Sequence, residues 1–238
     1  MKDCIVLQAR IHSTRLPGKL LLPLAGMTVF EHILLRLSSA RAPDGVIVAT
    51  TPSTEPFIRE AADRHGAAIL VGSEEDVLGR FVQAVRAYGL RTVVRATADN
   101  PLVSVEYIDR TLLLHRDTGS DLTAYPELPY GTGVEAVKGE ALEIASAESS
   151  DPFEREHITQ YIYRHEGKFR VTRGVPDAAF RRFDVRLTVD TEEDYRGMAD
   201  IYEHLYRGEP ISLADAVAYC DRRDRGEKRS DAGPPGAR

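Results

Sequence analysis

The chain has 238 residues, enough for one large α/β domain or two small ones. Its composition, 42% hydrophobic and 29% charged residues, is ordinary for a globular protein, and its formal net charge of −6 argues against a general nucleic-acid or membrane-surface binder. Two cysteines, Cys4 and Cys220, are too few for a disulfide framework and fit the reducing cytoplasm.

The amino-terminal segment predicts a strand rather than a leader. Residues 4–7 form a short apolar run, which is typical of a buried strand, and Asp3 precedes it, which is unlike a signal peptide. No apolar run in the chain approaches the roughly 18 residues that a membrane helix needs. We therefore expect a cytoplasmic protein with neither a membrane nor a nucleic acid as partner.

A loop with three cations follows this strand. Arg10, Arg15 and Lys19 lie between it and Thr28, whose capping box with Glu31 predicts the start of a helix. Three cations on one turn-rich loop suit a polyphosphate, because each can neutralise or hydrogen-bond phosphate oxygens. The alternative for such a loop is a solvated surface connection.

A P-loop would also place cations and glycine after a strand, and Gly18 and Lys19 resemble its last residues. The spacing excludes it. Ser13 stands where the first glycine belongs, and Leu20 stands where Ser or Thr would bind magnesium.

Strand and helix patterns alternate up to about residue 116. Apolar, β-branched runs predict strands over residues 45–50, 68–71 and 92–97. Periodicity with start and stop signals predicts helices over residues 55–65, from the cap at 73–76 to 88, and 104–115. This alternation predicts parallel strands with helices on both faces and a ligand site at the carboxyl ends of the strands.

The second half of the chain follows a different pattern. Residues 125–133 are rich in turn formers and predict a loop that is mobile or faces substrate. Further predicted elements are a helix over 151–165, a strand over 183–189, a helix after 191 and a helix over 212–221. The tail, residues 222–238, is charged and rich in Gly and Pro, so we expect it to be disordered.

Two aspartates follow apolar strand patterns directly. Asp99 and Asp190 would therefore both point into the ligand crevice, where two carboxylates beside a cationic loop suit Mg²⁺ bound to a polyphosphate. A turn role for Asp99 before Pro101 and a helix-capping role for Asp190 are the competing interpretations, although Thr191 is the better cap.

Five blocks of the chain, in order, resemble the cytidylyltransferases of the spore-coat-polysaccharide SpsF type, relatives of the synthetases that make CMP-sialic acid and CMP-Kdo. The blocks are residues 8–23, 76–81, 94–102, 154–159 and 186–194. The resemblance implies a Rossmann-like nucleotidyltransferase fold, with a mixed, mostly parallel sheet and helices on both faces. It also implies a single domain over residues 1–221, with residues 122–173 inserted for acceptor binding and dimerisation.

The resemblance further implies a reaction in which CTP, with Mg²⁺, gives CMP to a small acidic acceptor and releases pyrophosphate. The implied catalytic residues are Arg15, Lys19, Asp99 and Asp190, the last two also binding the metal. The implied nucleotide-binding residues are Gln8, Ala9, Arg10, Arg15, Lys19, Asp76, Arg80, Arg95 and Thr97. The implied acceptor-binding residues are Glu135, Arg155, Glu156 and His157. Taken alone, Arg80 and Arg95 could be surface charges or salt-bridge partners, and His157 a structural histidine.

Three positions depart from the family pattern. Ala98 replaces a glycine before the first aspartate, Gly133 replaces an acidic residue, and Gln160 replaces a proline. Because the last two lie in the acceptor half, the acceptor stays open between a sugar acid and a phosphonate.

Two further functions remain compatible with the sequence. One is a transferase of the same fold that prefers another base or a sugar phosphate, and the other is an inactive nucleotide-binding module. The presence of both Asp99 and Asp190 disfavours the inactive module. The resemblance also predicts a homodimer.

Overall fold

The computed structural model describes residues 2–225 of the chain. Its strands are β1 (Lys2–Gln8), β2 (Pro23–Leu24), β3 (Met27–Thr28), β4 (Val46–Thr50), β5 (Ala68–Val71), β6 (Leu90–Thr97), β7 (Leu122–Ala124), β8 (Glu135–Lys138) and β9 (Val171–Arg173). Its helices are α1 (Val29–Ser38), α2 (Glu55–Arg64), α3 (Val77–Tyr88), α4 (Val105–Thr118), α5 (Gly139–Glu148), α6 (Pro152–Glu156), α7 (Gln160–Arg164), α8 (Glu192–Leu205) and α9 (Leu213–Asp224).

Seven of these strands form one sheet in the order β5-β4-β1-β6-β8-β7-β9. The block β5-β4-β1-β6 is parallel throughout, and β9 is parallel to β7. β8 is antiparallel to both of its neighbours, β6 and β7. β2 and β3 form a separate short hairpin. The prediction of a mixed, mostly parallel sheet is confirmed.

Alternate residues of β1 face two different hydrophobic cores. Ile5 and Leu7 pack with apolar side chains from α1, α2, α4, α8 and α9. Cys4 and Val6 pack on the opposite face with α3, α5 and α7. Helices therefore cover both faces of the sheet, as predicted, because a strand buried on both sides needs an apolar partner layer on each.

The region over residues 122–173 contributes to this same sheet. It supplies β7, β8 and β9 together with α5, α6 and α7. β8 pairs directly with β6, and the pairing places Arg95 opposite Glu135. One predicted nucleotide residue and one predicted acceptor residue thus stand side by side on neighbouring strands.

The single helix predicted over residues 151–165 is wrong, because two short helices occupy this stretch. α6 ends at Glu156 and α7 begins at Gln160. His157 adopts φ −103° and ψ 76°, outside the helical region, and the turn after it buries Ile158 completely. Burial at this turn overrides the continuous helical pattern of the sequence.

The prediction of a strand over residues 183–189 is also wrong. Within the described residues this segment forms only an isolated parallel bridge, between Tyr130 and Arg186. Its backbone groups bond to loops instead, since the amide of Val189 donates to the carbonyl of Asp99 at 2.8 Å. The segment is therefore an extended connection that hydrogen-bonds to the loop after β6 and to the loop at Tyr130.

The last helix is longer than predicted. α9 continues to Asp224, so residues 222–224 of the predicted disordered tail are helical. The remaining part of that prediction, residues 226–238, lies outside the described residues. Between residues 2 and 225, no helix combines the length and apolar character needed to cross a membrane.

Candidate active site

A cavity of about 1620 Å³ opens at the carboxyl ends of β1 and β6. Its walls come mainly from residues 8–20, 95–100 and 124–135, with further side chains from the α6–α7 region. A pocket for one small ligand usually encloses about 300–1,000 Å³. This cavity therefore has room for two substrates, and it lies where open α/β sheets bind their ligands.

Buried leucines fix the cationic loop, residues 10–19, along one wall. Leu16 and Leu20 are both buried in the core beneath it. Gly18 between them has φ 68°, a left-handed conformation that glycine adopts without strain. The turn starts a short 3-10 helix at Lys19, so the lysine side chain is directed from a fixed backbone.

Lys19 joins the two predicted metal-binding carboxylates. Its Nζ lies 3.2 Å from Asp99 Oδ2 and 3.0 Å from Asp190 Oδ1, and it donates to the carbonyl of Val189 at 2.9 Å. Arg15 Nη2 also approaches Asp190 Oδ1 at 3.0 Å. The Asp190 side chain is only 9% exposed. The structure therefore brings together four residues predicted as catalytic.

Hydrogen bonds from the backbone and from two threonines fix the positions of Asp99 and Asp190 relative to each other. The carbonyl of Asp99 accepts from the Val189 amide at 2.8 Å and from Thr188 Oγ1 at 3.1 Å. Thr97 Oγ1 donates to Asp99 Oδ1 at 2.6 Å, so one carboxylate oxygen is oriented from the end of β6. The loop after β6 and the connection before α8 thus form one unit.

The helix cap that follows Asp190 is provided by other residues. Thr191 is the N-cap of α8 and forms a capping box with Asp194. Asp194 Oδ2 also accepts from the amide of Asp190 at 3.1 Å. Asp190 Oδ2 accepts from Arg186 Nη2 at 2.8 Å. The capping role for Asp190 is therefore removed, and its side chain is directed to cations.

Glu135 is the centre of the opposite wall. Its Oε2 accepts from Arg95 Nη1 at 2.8 Å and from Thr159 Oγ1 at 2.9 Å, and its Oε1 accepts from Tyr163 Oη at 2.9 Å. Burial, with the nearby Glu135 charge, raises the pKa of Tyr163, so this hydroxyl keeps its proton and remains a donor. Three donors, one from β6 and two from α7 and its N-cap, hold one carboxylate beside the cavity.

An ion pair spans the mouth between these two walls. Arg10 Nη2 lies 2.9 Å from Glu156 Oε1, and both side chains are partly exposed. His157, the next residue, also lines the cavity. The predicted acceptor residues Glu135, Glu156 and His157 therefore face the same space as the cationic loop.

Three other predicted site residues lie in a neighbouring network that does not line the cavity. Asp76 caps α3 and accepts from Arg155 Nε at 3.1 Å. Burial alone would raise the pKa of Asp76, but hydrogen bonds from Arg155 and from the Gly79 amide lower it. Arg80 is fully buried and donates to the carbonyl of Ser73. This network anchors α6, and with it Glu156, to α3.

The end of β1 supplies the remaining predicted nucleotide residues. Gln8 lines the cavity, and its Oε1 is buried without a hydrogen-bond partner among the described residues. Ala9 is buried; its amide donates to the carbonyl of Ala49 at 3.2 Å, and its carbonyl accepts from Thr50 Oγ1 at 3.0 Å. Gln8 therefore offers a free acceptor to a ligand, while both backbone groups of Ala9 are already bonded.

Sequence reasoning assigned no role to Thr159, Tyr163 or Arg186, although each contacts a predicted site carboxylate. Tyr163 lies four residues after Thr159, a helical spacing that would have placed both on one side of a helix. Arg186 lies four residues before Asp190 in a segment predicted as a strand, where alternation carries no sign of an ion pair. Only the folded geometry reveals it.

Comparison with known proteins shows the family. A family model described as Cytidylyltransferase matches residues 4–215. The spore coat polysaccharide biosynthesis protein SpsF of Bacillus subtilis is 32% identical over 229 residues, covering 93% of this chain and 95% of the relative. A cytidylyltransferase structure from Leptospira borgpetersenii has TM-score 0.87 at 27% identity, covering 94% of this chain and 96% of that one. The structure of CMP:2-keto-3-deoxy-manno-octonic acid synthetase complexed with CTP shares the fold, with TM-score 0.64 at 19% identity, covering 84% and 98%. This chain is therefore an enzyme of the cytidylyltransferase family.

Proposed function

We propose that this enzyme transfers CMP from CTP to an oxygen of a small acidic acceptor, such as a sugar acid, and releases pyrophosphate. The observation that carries the proposal is the cluster of Arg15, Lys19, Asp99 and Asp190 on one wall of a cavity whose opposite wall presents Glu135. Transfer to phosphorus depends mainly on positioning of the substrates and on charge neutralisation. The cavity offers cations for the phosphates and fixed carboxylates that can position a metal and an acceptor.

The proposed step is an in-line displacement. An acceptor oxygen attacks the α-phosphorus while the bond from that phosphorus to the bridging oxygen of the β-phosphate breaks, and the bridging oxygen leaves with the electron pair as pyrophosphate. When the attacking oxygen belongs to a hydroxyl, its proton passes to water. Arg10, Arg15 and Lys19 neutralise the triphosphate and the charge that grows on the leaving group. Arg10 exchanges its contact with Glu156 for a phosphate oxygen when the nucleotide binds.

Asp99 and Asp190 are proposed to hold Mg²⁺, which when bound adds charge neutralisation at the phosphates. Their donor set fits, because Mg²⁺ prefers carboxylate oxygens and is often completed by substrate phosphates and water. Within the described part of the chain, no cluster of three or more His, Cys, Asp or Glu could hold a metal ion unaided. We therefore expect metal and triphosphate to bind together.

Nucleotide contacts are proposed for Gln8, Arg95 and Thr97, and an acceptor contact for Glu135. Gln8 Oε1 is available to accept a hydrogen bond from a base, and Arg95 Nε is a buried donor without a partner among the described residues. CTP as the nucleotide is inferred from the family, since these contacts alone do not select a base.

The decisive experiment measures pyrophosphate release from CTP, UTP, ATP and GTP with a panel of acidic sugars and phosphonates. CTP with a sugar acid should be fastest, and CTP with Mg²⁺ should raise the melting temperature most. Stabilisation follows RT ln(1 + [L]/Kd), about 2.7 kcal/mol at 100 times Kd. A larger shift with another nucleotide would overturn the base, and faster phosphonate turnover would replace the acceptor class. Binding with no turnover would favour a nucleotide-binding module.

A homodimer formed through residues 122–173 is proposed from the family resemblance. Phe153 in this region is 47% exposed, a large apolar side chain that an isologous contact would cover. Light scattering at tens of micromolar protein should give twice the chain mass. A monomer at that concentration would remove the proposal.

A further inference from the structure

We propose that Arg186 is a positioning residue for the transfer reaction, because it fixes which oxygen of Asp190 faces the cavity and links that orientation to the loop that borders the acceptor. This inference rests on the proposed function. Nothing in the sequence or in the relatives' names assigns a role to Arg186.

The two oxygens of the Asp190 carboxylate have different partners. Oδ1 meets Lys19 Nζ and Arg15 Nη2, both at 3.0 Å, and these two cations line the cavity. Oδ2 meets Arg186 Nη2 at 2.8 Å, and Arg186 is not part of the lining. Arg186 therefore holds the rear oxygen, which leaves the front oxygen directed at the metal and phosphate position.

Arg186 is itself held from a second direction. Its Nε donates to Asp194 Oδ1 at 2.9 Å. Asp194 is fixed in turn, because its Oδ2 accepts from the backbone amides of Asp190 and Thr191 at 3.1 and 2.9 Å in the cap of α8. These contacts with Asp194 and Asp190 raise the pKa of Arg186, which keeps its charge. The guanidinium thus connects a rigid helix cap to the Asp190 side chain.

The same guanidinium lies against the acceptor loop, residues 125–133. Its central carbon is 4.9 Å from the centroid of the Tyr130 ring, within the range of a cation–π contact. Tyr130 also exchanges backbone hydrogen bonds with the Arg186 segment, from its amide to Val185 at 2.8 Å and from Leu187 to its carbonyl at 2.7 Å. A movement of this loop is therefore transmitted to the residue that orients Asp190.

Removing the guanidinium would leave the rear oxygen of a 9% exposed carboxylate without its side-chain donor. The carboxylate would then rotate between Lys19, Arg15 and the metal position. Partners that orient metal-binding side chains typically change metal affinity or activity by about 10–100-fold when they are removed. We expect a loss in this range for Arg186→Met, with a higher Mg²⁺ requirement, and a smaller loss for Arg186→Lys.

The test compares wild type, Arg186→Met, Arg186→Lys and the control Arg196→Met. Arg196 is an exposed arginine of α8 whose ion pair, to Glu192 at 3.3 Å, lies on the same helix. Steady-state rates with CTP are measured at several Mg²⁺ concentrations. A second readout, independent of turnover, is the rise in melting temperature that Mg²⁺ with inorganic tripolyphosphate produces in each protein.

The expected result is a lower kcat, a higher Mg²⁺ requirement and a smaller tripolyphosphate shift for Arg186→Met, with Arg196→Met like wild type. A purely structural role would lower the melting temperature of Arg186→Met while the Mg²⁺ requirement and the shift stayed at wild-type values. That outcome would overturn the positioning role alone. A wild-type enzyme that releases no pyrophosphate from any nucleotide would overturn the proposed function, and the role of Arg186 with it.

Discussion

The two walls of the cavity differ in the side-chain interactions that hold them together. One wall, formed by residues 8–20 and 97–100 with Asp190, is proposed to bind the nucleotide and is called the nucleotide wall. It contains ion pairs in which one ammonium lies between two carboxylates. The other, proposed to bind the acceptor and called the acceptor wall, centres on Glu135, which accepts hydrogen bonds from one guanidinium and two hydroxyls of β6 and the α6–α7 region. Charges that can be exchanged suit a polyphosphate and a metal, whereas a carboxylate fixed by one guanidinium and two hydroxyls suits recognition of shape and hydroxyl groups.

This difference separates the expected effects of substitution. A change on the nucleotide wall should reduce turnover, because the charges act on the reacting phosphates. A change at Glu135 on the acceptor wall should mainly weaken acceptor binding while nucleotide binding persists. Kinetic constants for the two substrates can therefore test whether the walls work independently.

The largest effect is expected from the carboxylate pair. Asp99→Asn and Asp190→Asn each remove a charge from the metal site at constant shape, so turnover should fall by at least about 10²-fold. The double variant should lose little more, since the two groups act as a unit. Steady-state rates over a range of Mg²⁺ concentrations measure this, with the exposed Asp117→Asn as control. Near-wild-type turnover in either single variant would contradict the two-carboxylate site.

Glu135→Gln should raise the KM for the acceptor by about 10-fold or more and leave the KM for CTP nearly unchanged. The amide nitrogen of glutamine is a donor and would face one of the three donors that now bond the carboxylate. The matched control is Glu140→Gln on the exposed face of α5. Equal changes in both KM values would show that the walls are not separate.

Gly131→Ala should destabilise the fold by about 1–3 kcal/mol through the acceptor loop. Gly131 has φ +92°, and a Cβ there would lie 2.6 Å from the Leu187 carbonyl oxygen. Gly133→Ala is the control in the same loop, because its nearest contact would be an ordinary 3.5 Å to Leu128. Urea unfolding of both variants gives the comparison. Equal stabilities would mean that the loop shifts without strain.

The smallest effect is expected from His115, a buried histidine of α4. Its titration should affect the stability of the fold little at neutral pH and more in acid. Burial, with the nearby Lys138 charge, lowers the pKa of His115 to about 4, and its Nδ1 lies 3.1 Å from Thr123 Oγ1 in β7. The unfolded chain takes up this proton below about pH 6.5, so stability should fall from about pH 6.5 to pH 4.

Thermal melts of wild type, His115→Gln and His204→Gln from pH 8 to pH 4 test this assignment. His115→Gln should have a shallower acid slope, whatever its stability at pH 8, because it lacks the titrating group. His204→Gln on α8, at a partly exposed histidine, is the control for the loss of an imidazole as such. An unchanged slope in His115→Gln would assign the acid sensitivity to other groups.

The sequence predicted the nucleotide wall better than the acceptor wall for a physical reason. The parallel strands β1, β4 and β6 are largely buried on both faces and leave apolar runs with clear turn signals. Asp99 follows such a run directly, so its position could be derived from the chain alone. Asp190 lines the cavity, but the segment before it is an extended connection rather than the predicted strand.

The acceptor wall depends on contacts that sequence patterns do not encode. β7 and β9 have three residues each and β8 has four, too few to display alternation. The break between α6 and α7 follows from burial of Ile158, a tertiary effect that overrides helical periodicity. The spacing of Thr159 and Tyr163 predicts that both lie on one side of a helix, but it does not identify Glu135, 24 and 28 residues away in the chain, as the partner they share.

The antiparallel pairing of β8 with β6 has a consequence for how acceptor preference can change during evolution. In this pairing Arg95 stands opposite Glu135, and a slip of one residue would turn Glu135 to the other face of the sheet. The position of Glu135 therefore cannot change by small steps in strand register. Insertions in the loops that flank β8 can change the shape of the acceptor wall. The strand register meanwhile keeps Glu135 at a constant position relative to the nucleotide wall. Relatives with new acceptors should differ in loop length rather than in strand pairing.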